Sequence, residues 1–211
     1  MRCFIELVRY VIQREAQKTI SILDIGGTEI YWINFPFSQF DDIHFRITLL
    51  NLNYDPETDL GNRKIPSNVS LEKSIGNACH LEEFKDKAWD IVHSNSVIEH
   101  VGCWEHIKAM AREIHRVGRY YFVQTPNYWF FVEPHFVLPF FQFLPRPIKV
   151  WILMRKRGAS SLNKAILREE GIRLLTKKEV RLLFPEGEIL TELFFGLPKS
   201  IMARSFLSEK T

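Results

Sequence analysis

One seven-residue run constrains this chain most: Thr19-Ile-Ser-Ile-Leu-Asp-Ile25, closed by Gly26 and Gly27, reads as a buried strand ending in a tight turn. Further β-branched and aromatic runs at 45–50, 69–75, 89–93, 120–124, 189–195 and 200–203 read as strands too, the second strand ending in the turn residues Asn53-Tyr-Asp-Pro56. Helical spacing lies between them. Phe4, Leu7, Val8, Val11 and Ile12 recur at intervals of three and four, the period of a helix with one buried face. Ile107, Met110, Ala111 and Ile114 form a second stripe between Gly102 and Gly118, and Thr176-Lys-Lys-Glu179 before Val180, Leu182 and Leu183 is a capping box opening a short helix. Strands alternating with helices predict an α/β fold: a seven-stranded, mainly parallel sheet with helices on both faces, binding its ligands at the carboxyl ends of the strands. The stretch 126–178, aromatic and proline-rich and then amphipathic and basic, breaks that rhythm and reads as a helical insertion before the last two strands. The whole chain, 1–211, is expected to form a single domain.

Composition narrows the setting. With 211 residues, 46% of them apolar and 25% charged, the chain can bury roughly 70% of its unfolded surface and needs no metal or disulfide to hold its core. Cys3, Cys79 and Cys103 are scattered and form no CxxC pair, which points to a reducing, cytoplasmic setting. Glu6 and Arg9 interrupt the apolar amino-terminal stretch, so a signal peptide is not expected. The greasiest region, 128–154, holds Glu133, His135, Arg146, Lys149 and four prolines, and does not read as a membrane-spanning helix. The net charge of +3 hides an uneven spread: residues 146–181 carry eleven Lys or Arg against three Asp or Glu.

Leu23-Asp24-Ile25-Gly26-Gly27-Thr28 places a turn without side chains at the end of the first strand, where backbone N–H groups can approach a ligand. A purely structural turn is the alternative, and without GxGxxG the dinucleotide fingerprint of a dehydrogenase is not met. The second strand ends in Leu50-Asn51-Leu52-Asn53, and the third in Gly76-Asn77-Ala78-Cys79-His80-Leu81. The fourth reads Trp89-Asp-Ile-Val-His-Ser-Asn-Ser-Val-Ile-Glu-His-Val101, followed by Glu113-Ile-His-Arg-Val-Gly118 and Thr125-Pro-Asn127. Over about residues 19–125 this set resembles the class I S-adenosylmethionine-dependent methyltransferases, in the type 11-like branch of small-molecule enzymes where Glu-His-Val follows the fourth strand.

The resemblance implies a Rossmann-like sheet and S-adenosylmethionine as cofactor. It implies that Asp24, Gly26, Gly27 and Thr28 hold the methionine moiety, that Asn51 faces the ribose, that Asn77 and Ala78 recognise the adenine, and that Ser94 lies beside the methionine end. In that family an acidic residue usually stands at the position of Asn51 and often at that of Asn77, and further glycines are common where this chain has Thr28-Glu29-Ile30.

Methyl transfer requires an in-line approach in a site that excludes water, and a hydroxyl acceptor also requires a base. His135, in Glu133-Pro-His135, and His100 are the candidate catalytic residues, with His135 preferred; their alternatives are a helix-start residue and a histidine that fixes its loop. Glu99, His100 and Glu133 could also hold a divalent cation, as some related enzymes do to align a catechol-like acceptor. Three dispersed ligands without a dense carboxylate set predict no metal. His93, His106 and His115 read as structural. The aromatic run at 128–131, with Phe136, Phe140, Phe141, Phe143 and Trp151, reads mostly as core, Phe136, Phe140 and Phe143 sharing a helical face, the other reading being a lid over an acceptor pocket. The predicted activity is O-methylation of a small-molecule, glycan-like or lipid-linked acceptor. The basic cluster Arg155-Lys-Arg157 with Arg146, Lys149 and Lys164 could make peripheral contact with an anionic membrane or hold a phosphorylated acceptor, a solvated helical face being the alternative, and no nucleic-acid motif accompanies it. The alternative is a non-catalytic protein of the same fold that binds a partner or a membrane through its insertion.

Overall fold

The computed structural model describes residues 1–53, 65–156 and 162–205. Nine strands are placed: β1 (Thr19–Ile25), β2 (His44–Asn51), β3 (Val69–Ile75), β4 (Trp89–Asn95), β5 (Gly118–Pro126), β6 (Val132–Glu133), β7 (Leu138–Pro139), β8 (Gly187–Phe194) and β9 (Leu197–Ser205). The helices are α1 (Arg2–Glu15), α2 (Glu29–Ile33), α3 (Trp104–Val117), α4 (Arg146–Lys156), α5 (Leu162–Glu170) and α6 (Lys177–Leu183). Seven strands form one sheet in the order β3-β2-β1-β4-β5-β9-β8, while β6 and β7 pair as a separate small hairpin. The first five sheet strands run parallel, and β9 is antiparallel to both β5 and β8. Every run read as a strand lies in this sheet. The order reverses beside β1, whose neighbours are β2 and β4, and that switch opens a crevice at the carboxyl ends.

The period of two along β1 sorts its side chains to the two faces. Ile20 and Ile22 pack with Phe4, Leu7, Val8 and Val11 of α1 and with Trp32, Phe35, Phe37 and Phe40 from the segment after β1. Leu23 and Ile25 pack on the other face with Ile107, Met110 and Ile114 of α3 and Val180 and Leu183 of α6. Arg204 of β9 donates to the Cys3 carbonyl at 2.9 Å and to Glu6 at 3.0 Å, tying α1 to the far side of the sheet. The capping box forms as read: Thr176 accepts from the Glu179 N–H, and Glu179 accepts from the Thr176 N–H at 2.8 Å.

The insertion departs from its reading. Phe136, Phe140 and Phe143 share no helix, because Val137 (φ 52°) and Phe140 (φ 58°) take left-handed conformations between Pro134, Pro139 and Pro145 and turn the chain into the β6–β7 hairpin and a single 3-10 turn at 141–143. Of the aromatic residues read mostly as core, Phe136 and Phe141 are buried, in a small cluster with Val150 and Leu153, whereas Trp129, Phe140, Phe143 and Trp151 are exposed. Tyr54, Asp55 and Pro56 of the predicted turn, and Arg157 of the basic cluster, fall outside the described residues. Among the described residues, no helix is long and apolar enough to cross a membrane.

Phe4 is fully buried, at the junction of α1, Trp32, Phe35 and Phe122. Phe4→Ala is expected to cost about 3–5 kcal/mol of unfolding free energy in a urea titration. A cost near zero would mean that α1 is not part of the cooperative core.

Candidate active site

At the carboxyl edge of the sheet a cleft of about 430 Å³ is lined by Ile25, Gly26, Leu50, Asn51, Asn77 and Ala78, by Val97, His100 and Val101 beyond β4, and by His80 and His106. Gly26 sits at φ +70°, and a Cβ there would lie 2.3 Å from Val97, so the turn admits no side chain without moving the loop after β4. Asn51 donates its amide to the Gly27 carbonyl at 3.0 Å, and Asn77 accepts from the Cys79 N–H at 3.0 Å.

The residues inferred to hold a cofactor thus divide. Gly26, Asn51, Asn77 and Ala78 line the cleft; Asp24, Gly27, Thr28 and Ser94 do not. Strand alternation gives the reason for Asp24, which points to the α1 side while its neighbour Ile25 faces the cleft. Asp24 is buried, and its two oxygens are taken by Trp32 Nε1–H at 2.6 Å and His93 Nδ1 at 2.7 Å. A Cβ on Gly27 would fall 1.9 Å from that carboxylate, so Gly27 is what lets Asp24 tuck beneath the turn. Ser94 is fully buried, and Thr28 is the exposed residue before α2. His93 and His115 are structural as read, the latter 3.1 Å from the Leu183 carbonyl. His106, exposed on the first turn of α3, also lines the cleft, with Nδ1 3.1 Å from the Val101 carbonyl of the loop after β4.

A second cluster adjoins the cleft at His100. Glu99, in the 3-10 turn 98–100, is wholly buried, with Oε2 accepting from Thr125 Oγ1 at 2.8 Å. Its Oε1 has no hydrogen-bond partner among the described residues and lies 3.8 Å from His135 Nε2 and 4.0 Å from His100 Nε2. The two imidazoles meet edge to face, 4.6 Å between centroids. Glu133, nearly buried in the hairpin, takes His135 Nδ1 at 2.6 Å and the Phe136 N–H at 2.7 Å, which fixes the ring with Nε2 toward Glu99. Burial pushes the Glu99 carboxyl above its usual range, burial and then the neighbouring His135 lower His100, and the bond to Glu133 raises His135. Both candidate catalytic histidines are therefore brought together from segments 35 residues apart in sequence. Glu99 as their shared neighbour was legible only as one letter of the Glu-His-Val motif. On the insertion side, a cavity of about 190 Å³ lined by Tyr128, Glu133, Phe136, Gln142, Lys149 and Arg173 abuts the same hairpin.

Residues 27–120 match a family model described as a methyltransferase domain. Comparison with curated proteins gives no match. Among solved structures the chain is similar to an S-adenosylmethionine-dependent methyltransferase from Methanosarcina mazei, at 18% identity and a TM-score of 0.50, over 94% of this chain and 98% of that one. It is also similar to a candidate O-methyltransferase from Nostoc punctiforme PCC 73102, at 12% identity and a TM-score of 0.53, over 94% of this chain and 55% of that one. These two likenesses establish a shared fold.

Asp24→Ala would strand the buried Trp32 and His93 donors and is expected to cost on the order of 3 kcal/mol, readable as a lowered denaturation midpoint. A variant as stable as wild type would show that the network beneath the turn is dispensable.

Proposed function

We propose that the chain is a class I S-adenosylmethionine-dependent methyltransferase of the type 11 branch, a reading supported by the methyltransferase-domain match over residues 27–120, and that it methylates a hydroxyl of a small-molecule, glycan-like or lipid-linked acceptor. The carrying observation is the junction at His100, where the cleft with the glycine turn meets the Glu99–His100–His135 cluster. The cleft suits the cofactor: its volume lies in the ~300–1,000 Å³ range of small-molecule sites, and the side-chain-free turn at Gly26 offers a close approach. Gly26 borders the methionine moiety, Asn51 presents its Oδ1 to a ribose hydroxyl, and Asn77 with Ala78 borders the adenine. Asp24, Gly27 and Ser94 support that wall from behind. The cofactor supplies a methyl group on a sulfonium centre, ready for in-line attack.

The chain's own contribution is to orient the acceptor oxygen, exclude water and deal with its proton. His135 and His100 are the residues that touch that oxygen. His135 is the better placed, because Glu133 fixes its ring through Nδ1 and leaves Nε2 at the junction. S-adenosylhomocysteine at ~100 times its dissociation constant is expected to stabilise the protein by about 2.7 kcal/mol in a thermal melt, and Gly26→Val to abolish that shift. With a turning-over acceptor, or the slow hydrolysis of the cofactor as surrogate, His135→Gln is expected to lower turnover by ~100-fold or more with S-adenosylhomocysteine affinity unchanged. No thermal shift at millimolar ligand would remove the cofactor; turnover within a few fold of wild type would remove His135.

A lipid-linked acceptor is favoured by the surface beside the insertion. Trp129, stacked on Phe143 at 5.9 Å between centroids, borders a shallow groove with Lys177, Lys178, Arg181 and the exposed Leu182. Exposed aromatic residues among basic ones complement an anionic membrane, where each basic residue contributes about 1 kcal/mol. Sedimentation with phosphatidylserine-containing vesicles is expected at low salt. It should fall steeply as the Debye length shrinks from ~10 Å at 0.1 M to ~3 Å at 1 M. Absence of binding at low salt would leave a soluble acceptor.

A further inference from the structure

We propose that Glu99, His100 and His135 form a binding site for a divalent transition-metal ion of the zinc class. The proposal deepens the reading of this cluster as the acceptor end. Three ligand atoms, one carboxylate oxygen and two imidazole nitrogens, lie within 4.8 Å of one another. The 3.8 Å and 4.0 Å separations from Glu99 Oε1 are too long for hydrogen bonds and suit atoms that share a third body. Ligands at ~2.0–2.1 Å around a tetrahedral ion stand about 3.4 Å apart, so the two separations from Glu99 must shorten by roughly half an ångström and the two imidazoles must draw together from within 4.8 Å of each other.

Two further observations point to a ligand there. Glu99 Oε1 is fully buried without a hydrogen-bond partner, an arrangement that costs free energy unless a cation or donor meets it. Glu133 accepts from His135 Nδ1, the carboxylate–histidine arrangement that fixes a metal-binding ring with Nε2 outward. Two histidines and one carboxylate with a fourth position open to the junction make a catalytic type of zinc site, and imidazole donors disfavour magnesium or calcium. At that open position an acceptor hydroxyl binds through oxygen and loses its proton more readily, the proton leaving to solvent, because the ion's charge lowers the pKa of bound water or hydroxyl. With the ion bound, His135 and His100 hold it through Nε2 and no longer touch the acceptor oxygen, so their role as proton acceptor belongs to the metal-free protein alone and the loss expected of His135→Gln follows from loss of the ion.

The test uses untagged full-length protein, stripped with a chelator and titrated with zinc or cobalt by equilibrium dialysis with metal analysis. One equivalent is expected to bind, cobalt giving the visible absorption of a low-symmetry site. His100→Ala, whose side chain is 39% exposed, avoids the folding risk of the buried Glu99→Gln; both are expected to lose the equivalent. Glu133→Gln is expected to weaken binding ~10–100-fold, and Cys103→Ser to leave it unchanged. Overturning results are no zinc or cobalt uptake by the wild-type protein, or equal uptake by wild type and His100→Ala. Metal uptake that follows this pattern in a protein showing no S-adenosylhomocysteine stabilisation would sink the methyltransfer reading and leave the metal site standing.

Discussion

The Asp24 carboxylate is the contact on which the active edge depends. It is the penultimate residue of β1, accepts from Trp32 of α2 and engages His93 of β4, so one buried side chain joins the two central strands to the segment that follows β1. Two buried donors on one carboxylate make it expensive to replace, since each unsatisfied donor would cost ~1–3 kcal/mol. Gly27 is bound to it by geometry: no Cβ fits between the backbone and the carboxylate. Asp24 and the glycine turn therefore act as one unit, with Asp24 on the α1 face and Gly26 on the cleft.

The same turn accounts for the amide at Asn51. A carboxylate there has no proton to give, whereas the Asn51 amide donates to the Gly27 carbonyl and clamps the second strand to the turn. In exchange, an acceptor at this position loses the charge that roughly doubles the strength of a hydrogen bond to a ribose hydroxyl. Glu29, where further glycines would lengthen the loop, pairs with Lys73 of β3 at 3.0 Å. The departures at Glu29 and Asn51 thus tie the loop down through side chains.

The strands and the α1, α3 and α6 helices were legible because each is dictated locally: period-two runs closed by Gly or Asn, stripes at three and four, and a capping box. The residues lining the candidate cleft were only half legible, because spacing places Asp24 beside Gly26 but the strand's alternation sends it to the opposite face. The insertion was the least legible. Phe136, Phe140 and Phe143 fit a helical stripe, yet Pro134 and Pro139 each remove a backbone donor and the left-handed Val137 and Phe140 turn the chain back on itself. Proline spacing, not aromatic spacing, carried the information there.

That hairpin gives the insertion a chemical reason. His100 and Glu99 are placed by the short loop after β4, a rigid continuation of the sheet, while His135 and Glu133 arrive from a segment with its own small core of Phe136, Phe141, Val150 and Leu153. Among the described residues, backbone bonds stitch the insertion to the sheet: Arg173 N–H donates to the Glu99 carbonyl at 2.8 Å, and Asn127 N–H to the Lys199 carbonyl of β9 at 3.0 Å. Because the Glu99 carboxylate is buried between them with one oxygen unpartnered, whatever fills that position binds both halves. It thereby stabilises the arrangement in which His135 faces the cleft. For the proposed site, occupancy of the cluster and placement of the insertion would be linked: a ligand that bridges Glu99 and His135 would favour the insertion held against the sheet, and an insertion held there would favour the ligand.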